Sequence, residues 1–373
     1  MRSLWQQQTF YSTSDIIIVG AGLTGLLTAI KLKQSDNTLR VRILERGLFP
    51  EGASAKNAGF ACFGSVSEIL DDIRIEGESK AFGRVVDRCR GLKLLFETVS
   101  PELVDVVPNG GVEVFTDQES NILEESLEAL EYINSQLSSE LGIIPFSIST
   151  ENFGLNTLNK SVAINGESTL NSGKLLKCLI NKATLLGVEI NFGVDVKSLE
   201  RAGSNWLIQS ESVEFSSHKV LIATNGFTSN LLPNLPILPA RGQIVLTSKI
   251  PNLKIDRSFH LHQGYFYFRN FEGAVMLGGG RHIDRKNEST DNQGTTPFIQ
   301  SELERVLREV ILPNQEFTIT QRWAGTMAFG PNNEKEAIVE KQADGLFVAA
   351  RLGGMGVAMS SLVADKSKNL ILS

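Results

Sequence analysis

Apolar residues recur along the chain in two rhythms. Short, largely apolar runs at 16–19, 41–44, 219–223 and 345–350 read as strands, and the last two are expected to be buried. Helical spacing marks 25–32, 81–99, 119–141, 175–186, 299–311 and 357–371. In the third of these, Ile122, Leu123, Leu127, Leu130, Ile133 and Leu137 form an apolar stripe, and the glutamates form the solvated face. Gly187 stops the fourth helix, and a strand starts at Val188 and continues through 194–196. Segments 206–208 and 213–215 predict a hairpin, and 112–115 a separate strand. A second β-rich block follows at 243–246, 265–269 and 274–277, with a further strand at 316–323. Residues 286–292 predict an exposed polar loop, and Pro233, Pro236 and Pro239 mark a crossing between domains.

One stretch organises the rest. The first apolar run meets Gly20-Ala21-Gly22-Leu23-Thr24-Gly25, a helix follows, and the second run ends in Glu45 and Arg46. Gly20 allows a tight turn, Gly22 lets the backbone approach a pyrophosphate, and Gly25 lets the helix pack closely on the sheet. The helix N-terminus offers free N–H groups to phosphates. Glu45 lies where a carboxylate accepts from a ribose diol. A bare glycine triplet is a weak signal. With both strands and the acid in place it predicts dinucleotide binding.

Composition narrows the picture. The 373 residues exceed one ordinary core, so two domains or one large α/β unit are expected. A net charge of -6 gives no electrostatic reason to expect nucleic acid or anionic membranes as partners. No apolar run approaches the roughly 20 residues that span a bilayer. Cys62, Cys89 and Cys178 are odd in number and widely spaced, which suits a reducing, cytoplasmic setting. The four histidines have no metal-ligand spacing, so no metal site is expected.

The nucleotide-binding pattern resumes in mid-chain and again at the C-terminus. The expected fold is therefore α/β, with a discontinuous Rossmann-like domain (1–75, 160–236, 325–373) and a β-rich α+β substrate domain (76–159, 237–324). That interruption suits a flavoprotein better than an NAD dehydrogenase. Taken together, Val19 to Gly25, Glu45-Arg46, Gly52 to Gly59, Ala223-Thr224-Asn225-Gly226 and Gly353-Gly354-Met355-Gly356-Val357 resemble the D-amino-acid oxidase and glycine/sarcosine oxidase family. Ser3-Leu4-Trp5, Tyr267-Phe268-Arg269 and the segment from Arg322 to Phe329 look most like its γ-glutamylputrescine oxidase subgroup.

The resemblance implies non-covalently bound FAD. Gly20, Gly22 and Gly25 would hold the pyrophosphate, Glu45 and Arg46 would lie at the adenosine ribose, and Val196 would meet the adenine. Ser54, Lys56, Asn57, Ala58 and Gly59 would run beneath the ribityl chain and flavin, and Thr224 and Gly226 would pass near the pyrophosphate. Gly353, Gly354, Met355, Gly356 and Val357 would set a helix N-terminus at the flavin pyrimidine. It further implies a small-molecule amine as substrate and oxygen or another electron acceptor.

The departures matter as much. Lys56 stands where many members have arginine. Met327 and Gly354 fall where glycine oxidases carry arginines for the substrate carboxylate, and Arg281, Arg269 or Arg322 would have to substitute. Tyr265, Tyr267 and Arg269 share one strand face by alternation, so Tyr265, Tyr267 and Arg281 are the candidate catalytic groups. His260 and His262 are weaker candidates, and Cys62 reads as a packed small residue. The expected reaction is oxidation of a primary or secondary amine to an imine. A flavin-dependent 2-hydroxy-acid dehydrogenase, a flavin-binding protein without turnover and an NAD-binding protein remain open.

Overall fold

The computed structural model describes residues 2–331 and 334–373. Residues 1, 332 and 333, which fall within the segments expected for the nucleotide domain, lie outside the described residues.

Two eight-stranded sheets organise the chain. In the first, Ser14–Val19 pairs in parallel with Val41–Glu45 on one side and Glu214–Ile222 on the other. Glu189–Phe192 and Leu346–Ala350 extend this parallel core outward. Ile16, Ile17 and Ile18 are at most 2% exposed, as a strand covered on both faces requires. Helices Leu23–Ser35, Ser172–Leu185 and Gly356–Leu372 cover one face, and their apolar side chains merge with the strands into one core. The fold is thus α/β, with a Rossmann-like sheet drawn from three separate stretches of chain and a second, mainly antiparallel sheet.

The second sheet runs in the order Ile319–Phe329, Leu238–Lys249, Ala274–Gly279, Phe266–Phe271, Ser258–Leu261, Gly111–Glu113, Ser161–Ile164, Phe146–Ser149. One face packs Val245, Phe259, Phe266, Phe268 and Leu277 against helix Pro297–Val306. The other face turns toward the Rossmann-like unit. Helices Val66–Glu76 and Ser120–Leu141 close the far end of this sheet over Phe146 and Val162. Ser120–Leu141 starts behind a Thr116/Glu119 capping box and stops at left-handed Gly142, as its sequence pattern implies.

Three local expectations are corrected. Gly193, at φ +73°, ends the strand begun near Val188, so 194–196 do not continue it and Val196 opens a new one. Segments 213–215 and 219–223 form one continuous strand, Glu214–Ile222. Residues 286–292 are not simply an exposed loop: Arg285–Glu288 is a helical turn, and Glu288 is 0% exposed. Its carboxylate accepts from Arg241 Nε at 2.8 Å and Nη2 at 2.7 Å, and from Gln243. Polar sequence hid this because the partner lies some forty-five residues earlier, on Leu238–Lys249. Removing one member of such a pair strands the other charge in the interior. Glu288→Ala should lower unfolding free energy by about 3–5 kcal/mol, read from urea midpoints, whereas an exposed Glu211→Ala should change it by less than about 0.5 kcal/mol.

Candidate active site

The first strand delivers its chain into the glycine turn, where geometry leaves no room for side chains. A Cβ on Gly25 would lie 2.0 Å from the carbonyl oxygen of Gly20, and one on Gly20 2.8 Å from that of Ala223. Glu45 closes the turn from the next strand, accepting from Ala21 N at 2.9 Å and Gly47 N at 3.1 Å. Ser54 Oγ accepts from Leu23 N at 3.0 Å, the first helical N–H. A Cβ on Gly22 would meet that hydroxyl at 3.0 Å. The loop is therefore held open by its own chain at the helix N-terminus.

From this turn a cavity of about 830 Å³ extends between the two sheets. At one end it is edged by Glu45, Arg46 and Val196, and Arg46 stacks 3.8 Å over Phe227. Ser54, Lys56, Asn57 and Ala58 line it as well, as do Thr224 and the turn Gly353 to Val357. At the other end stand Tyr265, Tyr267, Arg281 and Met327. Gly25, Gly59 and Gly226 lie behind this lining. A Cβ there would come within 2.0, 2.2 and 2.5 Å of a backbone oxygen, so they shape the backbone that others present.

Segment 53–59 is tied from three sides. Asn57 donates to the carbonyls of Ala53 and Ser54 and accepts from Gly59 N and Ser172 Oγ. Trp323 Nε1 donates to Lys56 O at 2.9 Å, and Lys56 Nζ to Gln293 at 2.8 Å. Burial lowers the Lys56 pKa. The final helix, Gly356–Leu372, begins without a side-chain cap, which leaves its first N–H groups without a side-chain partner, and Gly356 and Val357 line the cavity.

The tyrosine wall is corrected in detail. The strand begins at Phe266, and Tyr265 sits in the turn before it, yet both tyrosines reach the cavity. Tyr267 lies across Gly278, where a Cβ would meet its ring at 2.4 Å. Burial pushes its phenol up to about 12. Tyr265 stacks on His282 at 4.4 Å and accepts from Arg285 at 2.9 Å. Of the three arginines weighed as carboxylate partners, only Arg281 lines the cavity, 4.5 Å over Phe329. Arg322 pairs with Glu304, and Arg269 donates to the carbonyls of Gly59 and Leu170. Met327 lies within contact range of Gly354, so the two positions where relatives of the resemblance carry arginine adjoin one another. Cys62 lies 3.6 Å from Met355 Sδ, and burial raises its thiol pKa well above the ordinary value. His262, at φ +52°, turns toward Glu119 at 3.4 Å.

Sequence reading missed the charged side of the cavity. Glu68 and Arg88 pair at 3.2 Å, and Lys335 bridges Glu68 and Asp72 at 3.5 and 2.7 Å. These groups come from two helices and a distant C-terminal segment, so no spacing rule links them.

A dinucleotide turn, a clamped segment beneath it and a facing sheet wall define a nucleotide-dependent oxidoreductase. The profile of the DAO family, the FAD-dependent oxidoreductases, matches residues 15–367, and the chain belongs to that family. The cavity fits the cofactor, because a glycine cradle, the carboxylate of Glu45 and an uncapped helix end line a single channel. The chain is 21% identical to the probable oxidoreductase OrdL of Rhizobium meliloti (strain 1021) over 361 residues, 93% of this chain and 80% of that one. It superposes on L-proline dehydrogenase from P. horikoshii with a TM-score of 0.75 at 18% identity, covering 97% and 94% of the two chains. For glycine oxidase from Geobacillus kaustophilus the TM-score is 0.73 at 18% identity, covering 96% and 95%. Among the described residues no helix is long and apolar enough to cross a membrane.

Burial would raise the pKa of Glu68, but Arg88 and Lys335 outweigh it and hold the carboxyl at about 2, below the ordinary 4.5. A depressed carboxyl stabilises the fold above its unfolded value, and that contribution is lost as pH falls from about 4.5 toward 2. Glu68→Gln should thus be less stable than the parent at pH 7, and the gap should narrow on acidification across that window in urea midpoints.

Proposed function

We propose that the protein oxidises a primary or secondary amine, an amino acid or a polyamine-derived compound, to an imine that water hydrolyses. The observation that carries this reading is the meeting of Tyr265, Tyr267 and Arg281 with segment 53–58 and the turn Gly353 to Val357 across one cavity. In this reading the FAD-binding part is 1–75, 160–236 and 325–373, and the substrate part is 76–159 and 237–324. Gly20, Gly22 and Glu45 hold the dinucleotide, and Gly25 keeps the helix close enough to point at it. Bound FAD supplies a two-electron acceptor for the hydride on the carbon beside nitrogen. Oxygen or another acceptor then takes the electrons.

The chain's own groups do the rest. Phe60, Ile244, Met327 and Phe329 give the substrate end apolar walls that exclude water. Tyr265 and Tyr267 offer hydroxyls to a substrate heteroatom, and Arg281 faces a substrate carboxylate where one is present. The Gly356 helix end would supply N–H groups to stabilise negative charge on the reduced cofactor. The names of the structurally similar glycine oxidase and L-proline dehydrogenase support a substrate with nitrogen next to the reacting carbon.

Anaerobic titration of the purified protein tests this. The preparation should be yellow, and one member of a panel of amines and amino acids should bleach it with release of ammonia or amine. Bleaching by a 2-hydroxy acid alone, with no nitrogen released, would transfer the site to alcohol oxidation. A yellow protein bleached by nothing in the panel would favour flavin binding without small-molecule turnover.

A further inference from the structure

A buried pair of ionisable groups borders the substrate end and has no part in the reaction as described so far. His260 lies in the strand Ser258–Leu261, in register with Tyr267 on one side and Glu113 on the other. It is 3% exposed and edges the cavity. Its Nε2 lies 2.9 Å from Oε2 of Glu167, an enclosed carboxylate that also accepts from Ser258 Oγ at 3.1 Å. The second oxygen of Glu167 is buried and has no partner among the described residues. In the tautomer in which Nε2 carries the proton, His260 donates to Glu167 across this contact. In the neutral ring Nδ1 is then the acceptor. Phe60 packs edge-on against the ring at 5.9 Å and helps to fix its plane.

We propose that His260, oriented by Glu167, is the catalytic base that takes the proton from the substrate's ammonium group. This rests on the amine-oxidising reading above. An ammonium nitrogen has no lone pair, so it cannot form the new C=N bond as hydride departs. In the first step an N–H bond breaks, its electron pair stays on nitrogen, and the proton passes to Nδ1. The imidazolium and Glu167 then form a pair with no net charge. In the second step the C–H pair would leave as hydride for the two-electron acceptor that bound FAD supplies, the nitrogen lone pair closes C=N, and an iminium remains for water.

The surroundings favour this transfer. Glu167 reaches His260 from a turn, Glu113 from the adjacent strand and Glu68 from helix Val66–Glu76. Arg88 and Lys335 are engaged by Glu68 rather than by the ring. Tyr267 and Cys62, the other ionisable neighbours, are held neutral by burial. Burial opposes charge on His260, but Glu167, Glu113 and Glu68 outweigh it and raise the pKa above the ordinary imidazole value. His260 is therefore neutral and competent only above that raised value. The first-order rate of flavin reduction at saturating amine should rise with pH through it.

The experiment is stopped-flow anaerobic reduction of the holoenzyme over pH 6–10, using the amine that bleaches the parent. His260→Gln should reduce the rate about 100-fold at the parent's plateau and abolish the pH limb. Glu167→Gln should keep a limb but move it to lower pH, since the carboxylate that raises His260 is gone. Nitrogen-15 NMR of the histidine side chains should show Nε2–H in the parent holoenzyme and an altered tautomer mixture in Glu167→Gln. The visible flavin spectrum serves as the folding control, and His260→Asn replaces His260→Gln if that variant loses its flavin. An amine that bleaches parent and His260 variants with the same pH limb would overturn the inference while leaving amine oxidation intact. If no amine bleaches the parent, the inference falls with the reading beneath it.

Discussion

One guanidinium holds the two halves of the molecule in register. Arg269 projects from the substrate sheet and donates through Nη1 to Gly59 O at 2.7 Å and Leu170 O at 2.9 Å, both on the Rossmann side. A Cβ on Gly59 would come within 2.8 Å of that same nitrogen, so the glycine and the arginine depend on each other. Burial lowers the arginine's pKa to about 10, and the charge is answered by carbonyl dipoles. Dipoles have direction, so the contact fixes the position of segment 53–59 more tightly than a flexible ion pair would.

The sequence showed the nucleotide half well because its chemistry is local. Gly20, Gly22, Gly25 and Glu45 fall within a single strand–helix–strand unit, and each has a steric or hydrogen-bonding reason that one peptide segment can express. Repeated apolar runs likewise marked the parallel strands, since strands covered on both faces need no alternation. The substrate half was harder to read. Tyr267 could be placed on the correct face by alternation, but Tyr265 reaches the cavity only because a turn redirects it. Arg269 shares that face and still points away from the substrate, toward carbonyls whose positions depend on the completed fold. Glu68, Arg88 and Lys335, or Arg241 and Glu288, meet only in three dimensions. Polar residues in a helix or loop carry no local mark of a buried partner.

The distribution of charge around the cavity follows from the same constraint. Met327 and Gly354 adjoin one another in the cavity lining, which Arg281 and Tyr265 share. Beyond them, Glu68 and Asp72 are matched by Arg88, Arg84 and Lys335. Charges this poorly hydrated need compensation, and on this side of the cavity it comes from ions of opposite sign. The matched set makes that side of the cavity polar while pairing its charges with one another.

Those groups are arranged by strand register. Glu113, His260, Tyr267, Gly278, Ile244 and Trp323 are successive partners across six strand segments of the second sheet. Their neighbours Phe259, Phe266, Phe268, Val245 and Leu277 face the opposite core. A slip of one residue would exchange the two sets, burying ionisable groups among phenylalanines and presenting phenyl rings to the cofactor. The apolar core therefore fixes the polar face: the energy that buries Phe259 and Phe268 also sets His260 beside Tyr267. Gly278 completes the arrangement, since any side chain there would displace the Tyr267 ring from its place in the row. The cavity wall is thus the reverse side of an ordinary hydrophobic sheet face, and its precision is inherited from packing on the side turned away from the cavity.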